Sequence, residues 1–208
     1  MPASIIVKKG GEGLYEEKKS RFIAQVYPVA SEAEANSYIE AARKKYWDAR
    51  HNCYAFVIGK GGEVTRCSDD KEPSGTAGKP ILEVITGMGI YNCLVIVTRY
   101  FGGTLLGTGG LVRAYTKASK DALLASTLAE IVEGEQYTVV TDYSYVGKIQ
   151  RLAEEINAVI VNTEYAENVT FTISIEKNND LEKRITENTN GKATVTKDCD
   201  LPIEIPVV

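Results

Sequence analysis

A chain of 208 residues, 44% apolar and 25% charged, has the composition of a globular protein with one large or two small domains. Its net charge of −4 excludes a surface coated in positive charge, the usual footprint of a strong nucleic-acid binder, so any basic binding surface must be local. A single histidine, His51, removes most metal sites and most histidine-based catalytic arrangements. Four cysteines, at positions 53, 67, 93 and 199, form no C-x-x-C pair and no regular spacing, so neither a disulfide framework nor a zinc site is supported. No apolar run is long enough to span a bilayer, and Lys8 and Lys9 follow Ile5-Ile6-Val7 instead of preceding a long apolar stretch. The expectation is a cytoplasmic protein with reduced thiols and no membrane partner.

In chain order, residues 20–29 alternate as a half-buried strand, and Ser31 with Glu34 forms a capping box for a helix running to about Tyr46. Cys53 to Ile58 and Val64 to Cys67 flank Gly59-Lys60-Gly61-Gly62, the pattern of a hairpin. A second helix is expected from near Thr76 to Gly87 or Gly89, followed by Cys93 to Thr98, an apolar run continuous enough to lie centrally in a sheet. Thr108 is the expected N-cap of a third helix, with Leu111, Tyr115, Ala118, Ala122 and Ala125 as its apolar stripe. Together these make an α/β sandwich with helices on one face of its sheet.

From about Gln136 a different order is predicted: strand 136–142, helix 145–157, strands 159–165 and 169–175, helix 178–190 and a final strand near 193–198. This β-α-β-β-α-β succession is the ferredoxin-like split arrangement, and Glu133-Gly134-Glu135 reads as a linker. The domains are therefore expected to be 1–133 and 134–208.

Two stretches, Ser68 to Pro80 and Thr98 to Tyr115, carry more glycine and fixed polar chemistry than folding alone requires. Gly102, Gly103, Gly107, Gly109 and Gly110 precede or open a helix, where free backbone N–H groups and the helix dipole hold a phosphate; the alternative is a tight strand-to-helix connection. No Gly-Lys-Ser/Thr follows, so the loop is not a P-loop. Arg99 closes a buried-looking strand and Arg113 is expected in the first turn of the next helix, where a cation opposes the dipole. Each either meets a ligand anion or forms an internal pair with Asp69, Asp70 or Glu72. Those three carboxylates are the weak candidates for a Mg²⁺ site, or else the acidic start of a helix. Ser74 and Thr76 are ligand hydroxyls or caps, and no general base accompanies them. Arg50, His51 and Lys79 complete the set able to contact phosphate. Tyr100-Phe101 either stacks on a base or plugs the core.

The segments S-D-D-K-E-P-S-G-T-A-G-K-P (68–80) and T-R-Y-F-G-G-T-L-L-G-T-G-G-L-V-R-A-Y (98–115) together resemble the signature of the IMPACT family, also called the YigZ family. The resemblance extends from about residue 15 to the C-terminus. It implies an α+β protein whose N-terminal half has the ribosomal-protein domain-2-like βα sandwich of elongation factor G domain IV. The C-terminal half is then like that factor's last, ferredoxin-like domain. It also implies a role in translation or its regulation, with RNA, the ribosome or a protein of translation control as partner. Fold analogy leaves two other readings open: an enzyme acting on a small phosphorylated substrate or nucleotide with Mg²⁺, and a protein-docking regulator.

Overall fold

The computed structural model describes residues 4–207. It divides into a first compact unit that runs to Glu130 and takes back the chain from Pro206, and a second, Ile131–Ile205.

In the first unit the order is β1 (Ile5–Lys9), β2 (Glu12–Glu17), β3 (Ser20–Pro28), α1 (Glu32–Lys45), β4 (His51–Ile58), β5 (Val64–Ser68), α2 (Gly78–Gly87), β6 (Ile90–Tyr91), β7 (Cys93–Tyr100) and α3 (Gly107–Leu124). An antiparallel sheet takes five of these strands in the order β2-β3-β7-β4-β5. The apolar run of β7 is central, with β3 and β4 on either side, and all its residues but Tyr100 are buried. Strands covered on both faces need no polar alternation.

The helices lie on both faces, not on one as the sequence led us to expect. Ala35, Ile39 and Ala42 of α1 pack on Phe56, Leu94 and Ile96, whose side chains occupy one face. Successive strand residues point to opposite faces, so Cys53 and Phe22 belong to the other, where Tyr115 of α3 meets both. The start of α1 is as expected: Ser31 Oγ accepts from the Glu34 amide at 3.2 Å, and Glu34 Oε2 accepts from the Ala30 amide at 2.8 Å.

Strand β8 (Thr127–Thr141) begins in the first unit, where its residues 127–130 pair with β1. Its later residues, in the second unit, pair antiparallel with β10. The expected linker Glu133-Gly134-Glu135 is therefore strand. Gly134 lies opposite Glu176, and a Cβ there would sit 2.6 Å from Ile203 Cγ2, so this glycine serves close packing instead of flexibility. The second unit continues with a 3-10 turn (Tyr143–Tyr145), α4 (Val146–Glu155), β9 (Val159–Tyr165), β10 (Val169–Glu176), α5 (Leu181–Asn188) and β11 (Thr194–Pro206). The strand order is β11-β8-β10-β9. Its core joins Tyr137, Val139, Phe171 and Ile173 of the strands to Ile149, Leu152, Leu181 and Ile185 of the helices.

Candidate functional site

Strand register sets the floor of the site. His51, Arg99 and Phe22 occupy one row across β4, β7 and β3. The acidic segment after β5 closes over this row through a turn in which the Glu72 amide donates to the Asp69 carbonyl at 2.9 Å. Both central residues of that turn, Asp70 and Lys71, have positive φ, 40° and 72°, a conformation costly for lysine. The turn sends Glu72 inward. Arg99 Nη1 donates to Glu72 Oε1 at 2.6 Å, and the Tyr115 hydroxyl donates to the same oxygen at 2.9 Å. The two charged side chains are 6% and 3% exposed, so the pair is desolvated and held by hydrogen bonds, not by Coulomb attraction alone.

The guanidinium carbon lies 5.4 Å from the Phe22 ring centroid and 5.7 Å from that of Phe101. Arg99 Nε, buried, has no hydrogen-bond partner among the described residues. His51 Nδ1 is 2.9 Å from the Asp70 carbonyl oxygen, which can only accept, so Nδ1 carries the proton. Nε2 then faces Glu72 Oε1 at 3.9 Å. Burial, reinforced by Cys53 and Glu72, pushes the Tyr115 phenol far up, and burial does the same to the Cys53 thiol. Both groups stay protonated, which removes Cys53 as a nucleophile.

Above this floor lies a cavity of about 420 Å³. Arg50, His51, Lys71, Glu72 and Arg99 supply its polar wall, Phe101, Leu105, Leu106 and Leu111 its apolar wall, and Gly107 and Thr108 its end. Three fixed cations stand against one carboxylate, so this patch is locally positive on a chain of net charge −4. The end is the start of α3. Its cap position is held by Leu106 without a side-chain hydrogen bond, and no acidic residue lies in its first turn. The first-turn amides and the positive end of the dipole therefore face the cavity mouth without a side-chain cap. Gly107 takes φ of +71° and Gly103 of +87°, the left-handed conformations the loop requires.

Thr108 is the second residue of α3, not its N-cap, because glycine at 107 carries the chain into the helix two residues earlier, with Leu106 at the cap position. Arg113 consequently lies in the second turn, exposed and off the cavity, and needs no anion to offset the dipole. Helix α2 starts at Gly78, with Thr76 buried before it and donating to the Pro73 carbonyl at 2.6 Å. Asp69 caps that helix from a distance. Its Oδ1 accepts from the Ala77 and Gly78 amides at 3.0 and 2.8 Å, and its Oδ2 accepts from Gly75 at 2.8 Å. Burial raises its pKa, but the Gly75, Gly78 and Ala77 amides outweigh that and hold the carboxyl below its ordinary value.

Asp70 Oδ2 accepts from the Asn52 amide at 2.6 Å. With Asp69 on amides, Asp70 on Asn52 and Glu72 on Arg99, the three carboxylates diverge, and among the described residues no group of three or more ligand residues is placed to hold a metal ion. Of the two readings of Arg99, the internal pair is the one observed. Ser74 is exposed in the turn, Lys79 pairs with Glu83 along α2 at 3.9 Å, and the Tyr100 hydroxyl donates to Asp48 at 2.7 Å. Gly102 packs: a Cβ there would fall 2.1 Å from the Lys19 carbonyl carbon. Gly109 has room, with Arg113 Nη1 at 3.6 Å, and a Cβ at Gly110 would press on Leu106 Cβ at 3.0 Å. Phe101 is 43% exposed, over the cavity instead of in the core. Lys71, Leu105 and Leu106 were not expected. The signal for Lys71 was its place between Asp70 and Glu72 in a sharp turn; Leu105, 83% exposed, has no reason in folding to be apolar.

The family model described as the Impact N-terminal domain matches residues 18–123, and one described as a domain of unknown function matches 139–192. The IMPACT family member YvyE of Bacillus subtilis is 39% identical over 191 residues, covering 91% of this chain and 88% of that protein. The IMPACT family member YigZ of Escherichia coli is 36% identical over 162 residues, covering 77% and 79%. A crystal structure described as that of a hypothetical protein is similar with a TM-score of 0.59 and 32% identity, over 94% of this chain and 97% of that one. Both matched motifs that build the cavity lie inside the 18–123 match, and the chain belongs to the IMPACT family.

Proposed function

We propose that this protein is an RNA- or ribosome-associated regulator of translation that holds a phosphate at the start of α3. The observation that carries the reading is the coincidence, in one cavity, of an uncapped helix N-terminus, the cations Arg50 and Lys71, and the exposed face of Phe101. Backbone amides and cations suit a phosphodiester, and an exposed ring suits the flat face of a splayed base. Membership of the IMPACT family supports the assignment to translation. The same reading takes the first unit as a domain-2-like βα sandwich and the second as ferredoxin-like, the latter supported by its β11-β8-β10-β9 order and two crossover helices. Among the described residues no helix is long and apolar enough to cross a membrane.

An enzyme acting on a small phosphorylated molecule is favoured by one observation only, a concave cavity of ligand size. The diverging carboxylates leave that reading without a Mg²⁺ cradle. The test is fluorescence anisotropy of a short end-labelled single-stranded RNA across a salt series. Arg50→Ala and Lys71→Ala are each expected to weaken binding and to lower the log-log salt slope by about 0.7, the share of one phosphate contact on a single strand. Unaltered affinity and slope in both variants would remove the phosphate from this site.

A further inference from the structure

We propose that the cavity selects ribose over deoxyribose, with Glu72 Oε2 accepting a hydrogen bond from the 2′-hydroxyl of the bound nucleotide. This inference rests on the phosphate reading above. Every hydrogen bond and ion pair of the Glu72 carboxylate goes to Oε1: those from Arg99 and Tyr115, and the longer approach of His51. Oε2 has no partner among the described residues, although the side chain is 3% exposed and lines the cavity. An ionised carboxylate can only accept, and an unpartnered acceptor that keeps contact with the cavity on an otherwise buried side chain is open to a ligand that brings a donor. A phosphate oxygen cannot meet it without like-charge repulsion. The ligand therefore presents an anion to one end of the cavity and a neutral O–H or N–H to the other.

His51 narrows the choice. With Nδ1 donating to the Asp70 carbonyl, Nε2 lines the cavity 3.9 Å from Glu72 Oε1 and is a second acceptor whenever the ring carries a single proton. Two acceptors side by side match the adjacent hydroxyls of a 3′-terminal ribose, and at an internal nucleotide the 2′-hydroxyl alone can donate to either of them. The exposed face of Phe101, stacked on the Arg99 guanidinium, is then the platform for the base. Phosphate, sugar hydroxyl and base each have a counterpart, and the hydroxyl is the group that separates RNA from DNA. The buried Arg99 Nε without a partner is a second unmet polar group in the same wall, independent of the helix N-terminus.

The probes are three short single strands of identical sequence carrying 2′-hydroxyl, 2′-deoxy or 2′-fluoro sugars, titrated into the full chain at fixed salt. A 2′-fluoro sugar keeps the RNA-like pucker but cannot donate, so it separates shape from hydrogen bonding. The ribo strand is expected to bind about 10-fold more tightly than either analogue, the ratio that one hydrogen bond to a carboxylate carries. Amide shifts on binding the ribo strand are expected at Lys71, Glu72 and Gly107. Equal binding of ribo and deoxy strands, or of ribo and fluoro strands, overturns the ribose inference while leaving the phosphate reading in place. Discrimination with shifts confined to other regions also overturns it. Failure of all three strands to bind overturns both readings.

Discussion

Replacing Arg99 with Met keeps a side chain of similar reach beneath Phe22 and Phe101 and deletes the guanidinium. What remains is the Glu72 carboxylate, 3% exposed, with Tyr115 as its one close donor. Removing one partner of a buried, hydrogen-bonded pair costs about 3–5 kcal/mol, because the surviving charge stays desolvated. Loss of the cation over two aromatic faces adds about 0.5–1 kcal/mol. Set against the roughly 5–15 kcal/mol that holds an ordinary domain folded, Arg99→Met is expected to remove about a quarter or more of the stability. The assay is urea unfolding followed by circular dichroism, and the informative design is a cycle with Glu72→Gln. Once the carboxylate is neutral, loss of the arginine strands no charge, so the double variant should be more stable than the sum of the singles by about 1–3 kcal/mol. Arg113→Ala, an exposed residue off the cavity, is the control and should stay within about 0.5 kcal/mol of the parent. Strict additivity in the cycle, or an Arg99→Met variant as stable as the Arg113→Ala control, would refute the account of Arg99 as the buried partner of Glu72.

Asp69→Ala should cost about 1–2 kcal/mol by uncapping α2, measured by urea unfolding at neutral pH. Since the folded-state carboxyl titrates below its ordinary value of 3.8, this contribution is present above that pH and is lost as pH falls through the folded-state pKa; parent and variant should converge in acid, and a gap that persists there would contradict the capping role. Gly102→Ala should be strongly destabilising, its Cβ colliding with the Lys19–Ser20 backbone at 2.1–2.4 Å, whereas Gly109→Ala should be neutral or stabilising by up to about 1 kcal/mol through helix propensity. Melting temperatures of the two variants check this ordering, and the reverse ordering would refute it.

Legibility from sequence followed the physics of each segment. Strand β7 and helix α1 were plain, one because a central strand is apolar throughout, the other because Ser31 and Glu34 cap it within four residues. The β2–β3 hairpin was not, because its turn is Lys18-Lys19 at φ of 47° and 64°, where glycine or asparagine is the usual signal. The start of β8 was hidden for a similar reason: glycine at 134 marks close packing on Ile203, and sequence alone does not distinguish that from a linker. In the site, the two motifs stood out at once, but their division of labour did not. Whether Arg99 meets Glu72 or a ligand depends on register across β3, β7 and β4 and on a turn with two left-handed residues, neither of which has a local sequence signature.

That division of labour follows from where each group lies relative to solvent. Gly102 and Gly78 leave no space for a Cβ, which would fall 2.1 Å from Lys19 and 2.7 Å from Ser68 backbone atoms, so these glycines let segments pack. Gly103 and Gly107 have open space around them and positive φ, so they shape the loop entering α3. The charges divide in the same way. Asp69 fixes the start of α2, and Arg99 with Glu72 fixes the turn against the sheet, while Arg50 and Lys71 remain exposed at the rim. A buried ion pair is a poor means of adding stability, since an apolar pair of equal volume often does as well. What it does supply is direction. Held by Arg99 and Tyr115 on one oxygen, the Glu72 carboxylate is constrained in its orientation. Its second oxygen is thereby left as a fixed acceptor in a cavity wall, the arrangement a ligand-binding site requires of its polar groups before the ligand arrives.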